Sequence, residues 1–253
     1  MMARSSILTF GAVPEILTVT MRQLLGRRRT ILLGLLASVP VLLAVIYRAF
    51  ANDDVKGFVA DAYSVSAVTI VLPVVAVLFG TGAFGAEIED GTIVYLLAKP
   101  VARWAIVLAK LFGAAGVTAI LTGLGVLVAG VIALVPSGSE GTTAMEAFFV
   151  AMVVGSICYT AVLLALSLFI RHALLVGLAY VLVWEAGLTS LLPGIANLSI
   201  RQYSLAAAKG IYDGVSTPLE TSTGYILAAI VVVAAVAISI WRLRRFELPS
   251  GSD

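Results

Sequence analysis

Charged residues are scarce in this sequence. Only 12% of the 253 residues are Asp, Glu, Lys or Arg, whereas 61% are apolar and the mean hydropathy is +1.10. A soluble domain typically carries about 25% charged and about 45–50% apolar residues. So few polar side chains cannot cover a surface in water, and the composition therefore predicts a protein of the lipid bilayer. The net charge of +2 is too small to indicate a nucleic-acid partner.

Cysteine and histidine are nearly absent as well. Cys158 is the single cysteine, which excludes an internal disulfide framework. One cysteine and one histidine, His172, do not predict a zinc site of the usual kind. The phosphate-binding pattern GxxxxGK followed by Ser or Thr does not occur. We therefore expect neither a catalytic centre nor a metal nor a nucleotide cofactor bound by this chain.

Long apolar runs are what the sequence has in abundance. A helix needs about 20 predominantly apolar residues to cross a bilayer, and six stretches approach this length. The first follows Arg27, Arg28 and Arg29 with no earlier apolar region, so we interpret it as a retained span and not as a signal peptide. The pattern predicts an all-α integral membrane protein with one domain over residues 1–253. Its six spans are expected near residues 30–50, 63–85, 108–135, 147–169, 173–192 and 224–241.

The basic residues are distributed unequally between the two sides of this predicted topology. Basic residues favour the cytoplasmic side of a membrane. With the N-terminus in the cytoplasm, twelve of the 16 Lys and Arg residues fall on the cytoplasmic side and the other four outside. We therefore predict that both termini are cytoplasmic. The twelve residues are Arg4, Arg22, Arg27, Arg28, Arg29, Lys99, Arg103, Lys110, Arg171, Arg242, Arg244 and Arg245.

Two segments outside the spans look organised. Residues 14–28 place four Leu and Met side chains on one helical face, which is typical of an amphipathic helix on the inner membrane surface. A soluble cytoplasmic helix is the alternative. Residues 193–223 form an outer loop too long for a simple turn. Its middle is compatible with a helix, which lies either on the surface or half inserted within the protein.

The cytoplasmic connection between the second and third spans, residues 86–107, combines acids, bases and apolar residues. Glu87, Glu89 and Asp90 form an acidic turn, and Leu96 and Leu97 follow within an apolar stretch. Such apolar side chains have no reason to lie in water. The pattern therefore predicts a short helix that packs against this protein or against a partner.

This connection resembles the signature of the ABC type-2 permease family, the membrane subunits of ATP-driven exporters. The resemblance implies that residues 86–107 form a coupling helix docked on a separate ATPase subunit, with Asp90 in its acidic turn. The alternative is that Glu87, Arg103 and Lys110 pair with one another and with lipid phosphates. The residues that match the signature are Glu87, Glu89, Gly91, Thr92, Leu96, Leu97, Pro100, Arg103 and Lys110.

The same resemblance implies the partners and the location of the chain. The ATPase subunit would bind ATP and Mg²⁺, and a second permease copy, identical or closely related, would complete the transporter in the lipid bilayer. No nucleic-acid partner is implied. The location expected from the resemblance is the plasma membrane of a prokaryote, with the chain as a multi-pass component.

Glu185 is the one ionisable residue within the predicted spans away from their ends. Acids at membrane depth face a bundle interior, a partner or a cavity, because an unpaired carboxylate there costs several kcal/mol. Glu185 is therefore a candidate for the translocation path. The alternative is a structural hydrogen bond, either to Thr189 and Ser190 at the end of the span or to the outer loop.

Two other classes of membrane protein remain as alternatives. An ion-coupled secondary transporter typically shows internal repeats and several buried charges, and neither is evident in this sequence. An intramembrane enzyme that acts on lipid or peptide requires converging acids, nucleophiles or metal ligands at membrane depth. Glu185 alone does not meet that requirement, so an exporter subunit is the leading hypothesis.

Overall fold

A computed structural model of the chain describes residues 27–50, 55–91, 93, 101–188 and 193–245. Every regular element within these residues is a helix. The interfacial helix predicted at residues 14–28 falls almost wholly outside them and stays a prediction. The α-helices are α1 (Arg27–Ala37), α2 (Val39–Phe50), α3 (Val55–Phe58), α4 (Leu72–Glu89), α5 (Arg103–Ala133), α6 (Ser139–Ser167), α7 (Ala173–Ala179), α8 (Ile200–Lys209) and α9 (Thr221–Arg244).

Two stretches wind more loosely, as π-helices with hydrogen bonds between residues five apart. Val59–Val71 joins α3 to α4, and Tyr180–Leu188 extends α7. Side-chain hydroxyls follow the same spacing in the first of them. Ser64 Oγ donates to the Val59 carbonyl at 3.0 Å, and Thr69 Oγ1 donates to the Ser64 carbonyl at 2.7 Å. The α-helical winding resumes at Leu72, immediately before Pro73, which has no N–H to donate.

Five helices in the described residues are long and apolar enough to cross a membrane, which confirms an all-helical, multi-span protein. The predicted crossing at residues 173–192 is described only as far as Leu188, and its apolar part, Ala173–Glu185, is shorter than a full span. The sixth crossing therefore stays a prediction. The five helices are Leu33–Phe50, Ala62–Gly85, Arg103–Ala133, Ser139–Ser167 and Thr221–Arg244.

Several predicted boundaries differ from the structure. α5 begins at Arg103, five residues before the predicted start, and α4 continues to Glu89, so both ends of the connection 86–107 belong to long helices. α6 begins at Ser139 and not near residue 147, because Gly138 turns the chain sharply with a φ of +80°. Glu140 and Glu146 therefore lie on the first turns of α6.

The helix ends divide the charged residues between two sides of the bundle. The Lys110 ammonium of α5 contacts Glu87 near the end of α4, and Arg242 Nε of α9 donates to the Leu168 carbonyl just after α6. α5 and α6 run antiparallel through the short turn Val135–Ser137, so the start of α5 lies at the same side as the end of α6. We call this side, with Arg103, Lys110, Arg171, Arg242 and Arg244, the basic side. Its assignment to the cytoplasm stays a prediction.

α6 is the central helix of the bundle. It packs against α4, α5, α8 and α9, and 16 of its 29 residues are buried. The first and last spans lie at the periphery, since only four of the 18 residues in Leu33–Phe50 and five of the 24 in Thr221–Arg244 are buried. These two spans therefore present apolar faces to lipid or to a partner.

α8 lies inside the bundle and not on its surface. Seven of its residues in a row, Gln202–Ala208, are buried between α6 and α9. A Cβ built at Gly155 of α6 would lie 2.5 Å from Ser204 Oγ of α8. Gly155 is about 24 Å along α6 from Ser139, at a rise of about 1.5 Å per residue. α8 therefore reaches the middle of α6, which supports the half-inserted alternative for residues 193–223.

Substitution of Gly155 tests this close approach. A Cβ there would meet both Ser204 Oγ and Leu72 Cδ2 at 2.5 Å, so Gly155→Val is expected to destabilise the protein by about 1–3 kcal/mol through overpacking. Gly85→Val is the matched control, because a Cβ at Gly85 meets no atom within 4 Å. Thermal unfolding of the purified protein in detergent should give a lower Tm for Gly155→Val than for Gly85→Val. Equal Tm values would contradict the contact between α6 and α8.

Candidate functional sites

Glu185 lies on the π-helical extension of α7 and its side chain is fully buried. The Tyr180 hydroxyl donates to Glu185 Oε1 at 3.1 Å. These residues are five apart, the spacing that a π-helix brings together on one face. Regular α-helical spacing would not align them, so the loose winding is part of what builds this site.

The Glu185 carboxylate caps the N-terminus of α8. Its Oε1 accepts the backbone N–H of Ile200 at 2.9 Å, and its Oε2 accepts the Ser199 hydroxyl at 2.6 Å. Ser199 is itself the N-cap residue, and its Oγ accepts the N–H of Gln202 at 3.4 Å. The first N–H groups of a helix lack intrahelical acceptors and carry partial positive charge. A carboxylate placed there satisfies those donors and is itself stabilised.

The surroundings of this cap are buried and partly aromatic. Tyr159 of α6 is fully buried beside Glu185. Trp184 Nε1 donates to the Leu198 carbonyl at 3.3 Å, which ties the same two segments together. Since Tyr159 lies beyond Gly155 along α6, the N-terminus of α8 begins deep within the bundle. Of the two hydrogen-bonding alternatives for Glu185, the one to residues 193–223 is present, whereas Thr189 and Ser190 lie outside the described residues. The candidacy of Glu185 for the translocation path stays a prediction.

The sequence contains a local signal for this cap that was not among the predicted features. Ser199 and Gln202 have the Ser-x-x-Gln spacing of a capping box, which marks the start of a helix. The carboxylate that completes the cap comes from fourteen residues earlier in the chain, and no local pattern indicates that contact.

Removal of the Glu185 carboxylate is expected to loosen the start of α8. Glu185→Ala leaves the Ser199 hydroxyl and the Ile200 N–H buried without this acceptor, at a cost of about 1–3 kcal/mol for each unsatisfied group. Glu185→Gln keeps one acceptor oxygen, so its loss of stability at the start of α8 should be smaller than that of Glu185→Ala. Hydrogen exchange of peptides that span residues 199–205 should accelerate in the order wild type, Gln, Ala.

Glu140→Ala is the control for this prediction. Glu140 accepts one hydrogen bond, from the Tyr212 hydroxyl at 3.0 Å, on the side of the bundle opposite the basic side. Its loss should leave the exchange of residues 199–205 unchanged. If the amides of residues 199–205 exchange as slowly in Glu185→Ala as in the wild type, the Glu185 carboxylate does not stabilise the N-terminus of α8.

A second buried charge lies at the basic side of the bundle. The Lys110 side chain of α5 is 1% exposed, and its Nζ lies 2.6 Å from Glu87 Oε1 of α4. Nζ also donates to the Ala83 carbonyl and lies 4.7 Å from the centre of the Phe84 ring. Lys110 therefore ties α5 to the last turns of α4 through three contacts.

The predicted coupling residues are distributed around this ion pair. α4 ends at Glu89, Asp90 is exposed, and Gly91 turns the chain with a φ of +67°, a conformation that favours glycine. Arg103, half-buried, begins α5. The predicted roles of Thr92, Leu96, Leu97 and Pro100 fall on residues outside those described and stay predictions.

The structure brings together only some of the residues that match the signature. Glu87 and Lys110 form one buried pair, which is the internal pairing that the sequence left as an alternative to docking. Asp90 and Gly91 form an exposed turn next to this pair. Ile93 is buried among residues of α4 and α5, so the chain returns to the protein after the turn. Asp90 and Gly91 therefore form a short exposed turn next to the ends of α4 and α5 that Glu87 and Lys110 join, which we call the rigid base.

A double-mutant cycle on Glu87 and Lys110 tests the ion pair. Lys110→Met leaves a buried carboxylate without its cation and is expected to cost about 3–5 kcal/mol. Glu87→Leu leaves the buried ammonium without its carboxylate and should cost a similar amount. The double variant should recover much of either loss, because an apolar pair often replaces a buried ion pair with little change in stability. Thermal unfolding in detergent measures the stability lost in each single variant and in the double variant. If the loss in the double variant equals the sum of the two single losses, the two side chains do not interact.

Metal ligands do not converge anywhere in the part of the chain that the structure describes: no group of three or more His, Cys, Asp or Glu side chains is placed to hold an ion. The site chemistry found there is therefore that of paired charges and capped helix ends.

Comparison with known proteins identifies a match over most of the chain. Residues 28–203 match the family model described as ABC-2 family transporter protein. The matched region covers α1 to α7, both buried charges and the first turn of α8. No curated protein sequence matches the chain.

Proposed function

We propose, from the premise that this chain belongs to the ABC-2 transporter family, that it is one of two permease subunits of an ATP-driven exporter. Membership of the family makes the chain a membrane component of an ABC transporter and confirms the resemblance found in the sequence. Such permeases normally work with an ABC ATPase in the lipid bilayer. The direction of transport, the second copy and the docking site are the further parts of the proposal.

The turn at Asp90–Gly91 carries the proposal for ATPase coupling. It is exposed at the basic side, and it follows directly on the part of α4 that Lys110 ties to α5. A force applied to the turn would therefore move α4 and α5 together. Because α6 packs against both of these helices, the movement would reach the centre of the bundle.

This geometry divides the predicted coupling residues by role. Asp90 is exposed and available to a partner, whereas Glu87 already holds Lys110. We assign Glu87 and Lys110 to the rigid base and Asp90, with the segment that follows it, to the docking surface. ATP and Mg²⁺ would be bound by the partner subunit.

The translocation path is proposed to form between two permease copies. The first span exposes a row of large apolar side chains, among them Leu35, Leu42 and Ile46, which suits contact with lipid or a second copy. Glu185 was the sequence candidate for the path. Its full burial and its hydrogen bonds to Ser199 and Ile200 support a role in holding α8 in place. In the proposed exporter, Glu185 positions α8 beside the path.

Charge reversal at Asp90 tests the coupling assignment. The chain is co-expressed with a candidate ABC ATPase, and association and ATPase stimulation are measured after purification. Asp90→Arg is expected to weaken association roughly tenfold, about 1.4 kcal/mol, because a basic side chain would replace an acid in the contact. Glu220→Arg is the matched control, since Glu220 is an exposed acid at the opposite end of α9.

Undiminished association and stimulation with Asp90→Arg would contradict docking at this turn. In the same preparation, two differently tagged copies of the chain should co-purify if the transporter contains two identical permeases. Recovery of one permease tag only, with the ATPase bound, would contradict the homodimer and favour a related second subunit.

A further inference from the structure

An apolar groove runs along the outside of the bundle between α5 and α9. It has a volume of about 390 Å³, and Ile157 of α6 forms part of its floor. The described residues that line it carry no polar side chain. Phe112 of α5 and Val233 of α9, on its two walls, are 63% and 67% exposed. The groove is therefore open to the surroundings of the bundle.

The two walls are regular helical stripes. On α5 the groove is lined by Leu108, Phe112 and Ala115, which fall on one face. Four residues before Leu108, the same face carries Trp104, which is 41% exposed. α5 begins one residue earlier, so Trp104 marks the end of the groove at the basic side.

On α9 the corresponding stripe leads to an arginine. Val233, Ala237 and Ile240 line the groove, and four residues beyond Ile240 the same face carries Arg244, which is exposed. α9 runs antiparallel to α5 and ends at Arg244. The apolar groove therefore ends, on both walls, in residues suited to the membrane interface: an indole on one side and a guanidinium on the other.

The three arginines at the end of α9 have different surroundings. Arg242 Nε donates to the Leu168 carbonyl at 3.3 Å, and its guanidinium lies over the Phe169 ring. The Arg245 guanidinium lies 4.2 Å from the centre of the Trp241 ring. Arg244 is the arginine on the groove stripe. The end of α9 at the basic side therefore carries three arginines, and Arg244 is the one on the face that lines the groove.

We propose that this groove binds an anionic phospholipid, with an acyl chain along the apolar walls and the phosphate at Arg244. The binding site combines an apolar channel with a cation at headgroup level, which is the chemistry that recognises an acidic lipid. Trp104 would lie beside the glycerol and headgroup region. The positive-inside distribution assigns this end to the cytoplasmic leaflet, where anionic lipids are found.

A second copy of the chain is a poorer occupant of the groove. Two copies in one membrane share a twofold axis along the membrane normal, and an isologous contact places the same patch of each copy against itself. Arg244 and Arg245 of one copy would then face those of the other at the same depth. Like charges at short distance are unfavourable, whereas a phosphate in the same position is favourable.

The inference goes beyond the transport function, since lipid binding is measured without ATP and without an ATPase. Native mass spectrometry of the purified full-length chain reports the bound lipids when phosphatidylglycerol and phosphatidylcholine with identical acyl chains are supplied at equal concentration. The wild type is expected to retain phosphatidylglycerol preferentially. Arg244→Gln should lower the ratio of bound phosphatidylglycerol to phosphatidylcholine about fivefold, and Arg244→Lys should preserve it.

Two further variants separate the groove from general surface charge. Arg171→Gln removes an exposed arginine on the same side of the bundle but away from the groove, and it should leave the ratio unchanged. Ala237→Trp fills the groove and should reduce retention of both lipids. Tm values in detergent close to that of the wild type establish that each variant is folded.

Three outcomes would overturn the proposal. One is an unchanged lipid ratio in Arg244→Gln, and another is an equal fall in Arg171→Gln. The third is that Ala237→Trp converts a dimer to a monomer without changing lipid retention, which would assign the groove to the contact between copies.

Discussion

A charge inside a helical bundle needs a partner of opposite charge or a set of hydrogen-bond donors, because the low dielectric makes an uncompensated charge cost several kcal/mol. Among the residues that the structure describes, two buried charged side chains are governed by that requirement. Glu185 is met by the donors at the N-terminus of α8, and Lys110 is met by Glu87 and the Ala83 carbonyl. Both sets of contacts join segments that are distant along the chain. The two charges therefore determine where α8 begins and how α4 packs against α5.

The position of α8 depends on this arrangement and on small residues around it. A helix that starts within a bundle exposes unpaired N–H groups to a region without water, which is tolerated only where the protein supplies acceptors. The Glu185 carboxylate and the Ser199 hydroxyl are those acceptors. Gly155 of α6 and Gly224 of α9 allow α8 to approach closely, since a Cβ at either would lie 2.5 Å from an atom of α8. The polar cap and the two glycines therefore both help to hold α8 in its position within the bundle.

Much of the architecture could be predicted from the sequence, because apolar runs of sufficient length are a direct consequence of the bilayer as solvent. The helical class and the family were predicted and are confirmed, and five helices among the described residues are long and apolar enough to span a membrane. α5 and α6 begin earlier than predicted, at Arg103 and Ser139, and their first turns carry charged residues such as Arg103 and Glu140. Helices that extend into the headgroup region carry such residues on their terminal turns.

The site was less predictable, since its decisive contacts are not local. Glu87 and Lys110 were singled out by their place in a motif, but their mutual contact spans twenty-three residues. The same is true of Glu185, whose partners were left open between two segments. Its alignment with Tyr180 also requires π-helical winding, which the apolar composition of the span does not indicate. Hydrophobicity thus predicts that a segment is buried, and the pairing of polar groups then decides what it contacts.

The long π-helix at Val59–Val71 has a consequence for how the chain tolerates changes in length. Each residue of an α-helix turns by about 100°, so removing one residue from α6 would rotate every later side chain off its contact face. A π-helix contains more residues per turn than an α-helix. Deletion of one residue within Val59–Val71 can be absorbed by local rewinding towards α-helical geometry, with Phe58 and Leu72 still facing the core on either side. The second span can therefore vary in length during evolution in a way that the central helix cannot.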